Sequence, residues 1–194
     1  DISQTKHLCI VPVDIPMIHV IALCAVILLT ILVLRRNGRV WTKGETYFLE
    51  PGASSQSTSQ ALLDPYSLSH ILHGLIFYTL FQKLSPSNNL LAALSLEAAW
   101  EMVENSSFII DKYRANTASL DYYGDSVLNV MGDLGSMTVG WVLAKYLPVR
   151  ASVALFLLIE LFMVAMWRDN LSLNVIMLLR PVESIKQWQL RAGK

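Results

Sequence analysis

Three stretches of this chain set ionisable side chains at helical spacing inside otherwise apolar sequence. His70 and His73 stand three residues apart and share one helix face. Glu97, Glu101 and Glu104 follow at intervals of four and three, one stripe of a second helix, with Trp100 and Asn105 beside them. Asp125, Asn129 and Asp133 repeat every four residues along a third. Imidazoles and carboxylates together are the donors of divalent-metal sites and the acids and bases of proton transfer. The candidate metal ligands are therefore His70, His73, Glu97, Glu101, Glu104 and Asp133. The candidate catalytic set is His70, His73, Glu101, Glu104, Asp125 and Asn129, with Asp125, Asn129 and Asp133 placed to hold metal, water or a head group.

Each group also has a plainer reading. The histidines would sit satisfied near the headgroups, and the glutamates would join helices by hydrogen bonds. Asp125 would cap the helix it precedes, and Asp64-Pro65 reads as a helix start with no further role. Gly132, Ser136 and Gly140 form a small-residue stripe suited to helix packing. Against the plain readings stands cost. An ionised aspartate at the centre of a spanning helix costs about 2.5–3.5 kcal/mol on insertion scales. Grouped carboxylates therefore need protons, hydrogen-bond partners, histidine or a cation.

The elements that carry these residues follow from composition. Apolar residues make up 54% of the 194 and charged residues only 15%, where a soluble domain runs near a quarter charged. Lipid is the implied solvent. Five apolar runs, near 13–34, 65–84, 89–110, 124–147 and 151–167, each approach the ~20 residues that cross the hydrocarbon. In lipid such runs must be helices. The expected fold is an all-α polytopic membrane bundle, one domain of about five transmembrane helices with a C-terminal interfacial helix. The tail 171–194 supplies that last helix, with Pro181 in its first turn and Val182, Ile185 and Trp188 on its apolar side.

The direction of the chain sharpens the cluster. In alternating spans, the start of the second, the end of the third and the start of the fourth lie on one side of the bilayer. All eight candidate residues then meet at similar depth, whichever side is cytoplasmic. His19 and Glu160 are the ionisable groups that could extend a path toward the other leaflet, and Glu160 could equally join the cluster or pair elsewhere. The polar segment 37–63, with its Gly/Ser/Gln-rich centre, reads as a flexible stretch or a lid over the site. Trp41, Trp141, Trp167 and Trp188 read as interface anchors.

Charge sets orientation and excludes some partners. Fifteen basic and fifteen acidic residues cancel, so no basic surface points to nucleic acid. Eleven Lys and Arg fall on the side shared by 37–63, the segment after the third run and the tail, against four on the other. The positive-inside rule then puts the N-terminus outside and the C-terminus in the cytoplasm. Cys9 and Cys24 suggest no disulfide, and no Cys-x-x-Cys or Cys/His zinc spacing occurs. The first run ends in Leu34-Arg35-Arg36 without a small-residue cleavage pattern, which reads as an anchor.

Ser69-His70-Ile71-Leu72-His73-Gly74, Glu97 with Trp100-Glu101-Met102-Val103-Glu104-Asn105, and Tyr123-Gly124-Asp125-Ser126 with Asn129 and Gly132-Asp133 resemble an uncharacterised bacterial multi-pass inner-membrane family. Arg168-Asp169-Asn170-Leu171 with Leu173-Asn174 resembles it too, and the likeness runs from Leu63 to the C-terminus. A weaker likeness, through Asp125, Asn129 and Gly132, is to VanZ-like membrane proteins. One departure is that 37–63 holds neither Cys nor His. The resemblance implies an inner-membrane bundle and supports the site, and implies no reaction. Three functions remain in order: an enzyme, metal-assisted, acting on a lipid-linked substrate; a binding or assembly protein with a structural ion or cofactor site; and a proton or ion pathway. The expected partners are membrane lipid and a lipid-linked substrate, and no protein partner is indicated.

Overall fold

Proline, serine and asparagine set most of the helix boundaries. In the computed structural model, which describes residues 15–43 and 48–191, the first helix, α1 (Met17–Arg36), follows Pro16. The short α2 (Ser67–Leu80) begins beyond Asp64-Pro65. Pro86 opens α3 (Pro86–Glu104), where its missing N–H leaves no bond unmade. Ser106 caps α4 (Ser107–Asn116), and Ser126 caps α5 (Val127–Tyr146) by accepting the Asn129 N–H at 3.1 Å. Pro148 precedes α6 (Val149–Trp167), which ends on Arg168 in the left-handed region, φ 54°. Asn170 accepts the Leu173 N–H at 2.8 Å to start α7 (Leu171–Leu179), and α8 (Glu183–Leu190) closes the described chain. Among the described residues the only β pairing is one isolated parallel bridge, Leu49 with Leu63.

The bundle is built around α5, which packs most closely on α2 and also meets α1, α3 and α6. Glycine sets the α2–α5 distance. A Cβ on Gly74 would overlap the Met137 carbonyl, and one on Gly140 would overlap the Ile71 carbonyl. The two backbones thus touch where neither helix carries a side chain. The small-residue stripe on α5 divides its work: Gly140 admits α2, whereas Gly132 admits the Leu62 carbonyl of the preceding segment. Leu34, Leu94, Ala98, Val130 and Met137 fill the core between α1, α3 and α5.

Among the described residues three helices, α1, α5 and α6, are long and apolar enough to cross a membrane. Two of them present apolar side chains outward. Ile18, Ile21, Leu28 and Leu32 on α1, and Leu157, Leu158, Leu161 and Phe162 on α6, are exposed. At ~1.5 Å per residue the 14 residues of α2 reach only about 21 Å, short of a hydrocarbon core of ~30 Å. The 19 residues of α3 are nearly long enough, but buried Glu97 and Glu101 dilute its apolar character.

Several expectations are corrected. The third run does not continue to 110. α3 stops at Glu104 and α4 restarts at Ser107, because the Ser106 hydroxyl accepts the Ile109 N–H at 3.5 Å. The first run, expected from residue 13, is helical from Met17, and residues 13 and 14 lie outside the described residues. So does Cys9, while Cys24 is free and exposed. The described part of 37–63 is packed. Its carbonyls at Val40, Trp41 and Ser59 accept N–H groups of Val127, Leu128 and Ser126 at 2.9–3.0 Å. It thereby satisfies donors that the start of α5 leaves unpaired, an arrangement a mobile loop could not hold. Trp141 is no interface anchor, since it is buried and donates its Nε1–H to Asn89 Oδ1 at 2.7 Å.

Candidate functional site

Glu97 is the pivot of the cluster. It sits on α3 with no exposed surface and faces both α2 histidines. His70 Nδ1 pairs with Glu97 Oε1, and His73 Nδ1 lies 2.9 Å from Oε2 and 3.2 Å from Oε1. A carboxylate facing two Nδ1 atoms accepts from both, which orients both rings and directs each Nε2 away from Glu97. His70 Nε2 then points at Asp133 Oδ1, 3.7 Å away on α5. The expected juxtaposition of α2, α3 and α5 is thus present in atomic detail.

Glu101 lies one turn farther along α3, fully buried, with Oε1 3.4 Å from His70 Nδ1. Both its oxygens are buried and neither accepts a hydrogen bond. A carboxylate left in that condition lacks compensation worth several kcal/mol. Donor atoms converge around it. One atom each from His70, Glu101 and Asp133 lies within 4.8 Å of the others, and so do one each from Glu101, Glu104 and Asp125, and from His70, His73 and Glu97.

Asp125 is not the α5 cap; Ser126 is. The Asp125 carboxylate instead turns inward and accepts from Asn105 Nδ2 and Tyr122 OH, both at 2.9 Å. Asn105 completes the exchange by accepting the Asp125 N–H at 2.6 Å. Asn129 spends its amide N–H on the Ala61 carbonyl at 2.8 Å, tying the loop to the floor of the site. His19 bonds with Asn88 at 2.9 Å, away from the cluster. Glu160 accepts the Leu171 and Ser172 N–H groups at 3.0 and 3.3 Å, so it anchors the start of α7.

The sequence reading missed Asp64 and two tyrosines. Asp64 does start a helix, taking the Tyr66 N–H at 2.8 Å, but its second oxygen accepts the Ser59 N–H at 2.7 Å and lines the site. Burial pushes its carboxyl above the usual range, although the Ser59 N–H pulls the other way and the Asp125 charge adds to the rise. Tyr113 stands against Glu104 and Tyr122 against Asp125. Burial, and then the neighbouring carboxylate, raise both phenols well above 10, so they stay neutral donors. Of the adjacent pair Tyr122 and Tyr123, only Tyr122 turns inward, and Tyr123 is exposed. Their order in an irregular segment carries no periodicity that would have told them apart.

These groups line a cavity of about 300 Å³. Its polar lining is His70, His73, Glu104, Asp125, Asn129 and Asp133, with Tyr66, Tyr113 and Tyr122. Its apolar lining is Phe77, stacked on His73, with Leu96, Trp100 and, from α7, Leu171, Val175 and Leu178. A wider groove of about 720 Å³, lined by Leu62, Leu68, Ile71, Met131 and Val139, reaches Asp64 and Ser67 from between the loop and the α2–α5 pair. The Ser67 hydroxyl donates to Asp133 at 3.4 Å, so this groove abuts the same carboxylate.

Residues 16–191 match the family described as protein of unknown function (DUF2585). The chain is 48% identical over 148 residues to a UPF0314 protein of Brucella anthropi, covering 74% of this chain and 76% of the relative. It is 43% identical over 175 residues to one of Rhizobium meliloti, covering 87% and 89%. A UPF0314 protein of Paracoccus denitrificans is 48% identical over 139 residues, covering 70% and 72%. No solved structure matches.

Proposed function

We propose, from the premise that this chain belongs to the DUF2585 family of proteins of unknown function, that it is a divalent-cation-dependent membrane enzyme acting on a lipid-linked substrate. One observation carries the reading: a cavity lined by histidines and carboxylates together with apolar side chains, inside a bundle whose outer helices expose apolar side chains. A ligand that satisfies both kinds of lining has a polar head and an apolar tail. The groove beside Asp64 and Ser67 supports the same reading, since its apolar lining suits a tail and it shares Asp64 with the cavity.

The residues divide by what they already touch. His70, Glu101 and Asp133 would hold the cation, the mixture of imidazole and carboxylate suiting Zn²⁺ or Mn²⁺, with Glu104 beside Glu101. Glu97, occupied by both histidines, is a positioning residue. A bound cation would polarise a substrate oxygen or acidify a water. His73, half-buried and lining the cavity, would move the proton. Asp125 and Asn129 would orient the head group, with Tyr113 and Tyr122 as neutral donors.

In the membrane we place five spans in a bacterial inner membrane, with α2 as a short one and α7 and α8 near the interface. The loop charges put the N-terminus outside and the C-terminus and the site on the cytoplasmic side. Reporter fusions at both ends test that orientation, and a cytoplasmic N-terminus refutes it.

The function is tested by purifying the chain in native-lipid nanodiscs, then measuring bound metal and the lipids retained. A bound divalent metal with an enriched head-group class, and turnover of that lipid class abolished by chelation, are expected. Metal without turnover would favour a binding or assembly protein with a structural ion. Absence of both metal and enriched lipid would overturn the proposal. A proton or ion pathway gains nothing from His19 and Glu160, which bond with Asn88 and the start of α7.

A further inference from the structure

The donor sets overlap in a way that one cation does not explain. Glu101 belongs to two of them, with His70 and Asp133 on one side and with Glu104 and Asp125 on the other. It is fully buried, and neither of its oxygens has a hydrogen-bond partner. A carboxylate with two unsatisfied oxygens between two donor sets has the form of a bridge, one oxygen to each ion.

Donor geometry counts the ions. Glu97 is occupied by the two Nδ1 atoms that it faces. The four remaining carboxylates, Glu101, Glu104, Asp125 and Asp133, fall into two sets that share only Glu101, and three of the four are buried. One ion would reach one set alone, and two ions, one in each, would meet all four carboxylates. Deepening the proposed function, and resting on its metal-site reading, we infer that the site holds two divalent cations bridged by Glu101. The first lies among His70, Glu101 and Asp133, and the second, all-oxygen, among Glu101, Glu104 and Asp125. The all-oxygen set favours a hard ion such as Mn²⁺ or Mg²⁺.

The test uses the full chain in nanodiscs, stripped with chelator and refilled with Mn²⁺. Metal analysis of the wild type should give two Mn²⁺ per chain. The electron paramagnetic resonance spectrum should be broadened by coupling between the ions, without a resolved six-line pattern. Glu104→Gln should keep one Mn²⁺ and show the six lines of an isolated ion. A wild type with one Mn²⁺ and an isolated six-line spectrum overturns the pair and leaves the single-cation enzyme standing. A wild type that binds no Mn²⁺ and no other divalent metal overturns both. Neither wild-type readout depends on whether a variant folds.

Discussion

Replacing Glu97 by glutamine separates a positioning role from a ligand role. The substitution keeps the volume and removes the charge that two imidazoles share. In the wild type both Nδ1 atoms face the same carboxylate, His73 at 2.9 Å and His70 in a closer pair. Glutamine has one acceptor and one donor group. It can accept from one Nδ1–H but must donate to the other ring, whose proton then moves to Nε2. If His70 is the ring that flips, the nitrogen aimed at Asp133 carries hydrogen and no lone pair. Loss of such a carboxylate behind a metal-bound histidine typically costs 10- to 100-fold in affinity, about 1.4–2.7 kcal/mol. Competition against a chelator of known affinity, with Zn²⁺ or Mn²⁺ as probe, measures it. Glu97→Gln should weaken binding by that factor while wild-type stoichiometry survives at saturating metal. An unchanged affinity would refute the tautomer argument, and loss of stoichiometry would make Glu97 a ligand.

Four further outcomes test the scaffold. Gly74→Ala and Gly140→Ala should each destabilise the bundle by about 1–3 kcal/mol or more, read as a lower Tm in detergent, because a Cβ at either meets a carbonyl of the facing helix. Gly135→Ala should leave the stability within about 0.5 kcal/mol of wild type or raise Tm slightly, since nothing lies within 4 Å of its Cβ. Glu160→Ala should fray α7 by removing the acceptor of the Leu171 and Ser172 N–H groups, at a cost of about 1–3 kcal/mol, seen as faster hydrogen exchange in α7. Burial raises the Asp169 carboxyl from 3.8 to about 6, against hydrogen bonds from Tyr66, the Asn170 N–H, Asn174 and Gln189. A raised acid favours the docked state when protonated, so α8, held through Gln189 Nε2 at 3.0 Å, should be best protected near pH 4 and lose protection as pH rises through about 6. Hydrogen exchange in α8 across that window checks the sign, and protection that increases with pH would refute it.

What the sequence determined by itself was the helical class and the cluster. Low charge and long apolar runs point to helices, and three- and four-residue spacing puts each polar set on one face before any helix is packed. The alternating direction of consecutive helices does the rest, which is why His70, Glu97, Glu101 and Asp133 were legible together. Only tertiary structure decided how those groups share work. Whether Asp125 caps α5 or faces Tyr122 depends on which neighbour reaches it first, and Ser126 takes the cap. Whether 37–63 swings free or packs depends on the unpaired N–H groups at the start of α5, which its carbonyls satisfy. Trp141, Tyr113 and Tyr122 turn inward because Asn89, Glu104 and Asp125 wait there with acceptors. Side-chain direction in such cases is set by partners distant along the chain. Glu101 shows the division most clearly: its spacing put it in the cluster, and only packing left both its oxygens buried without a hydrogen-bond partner.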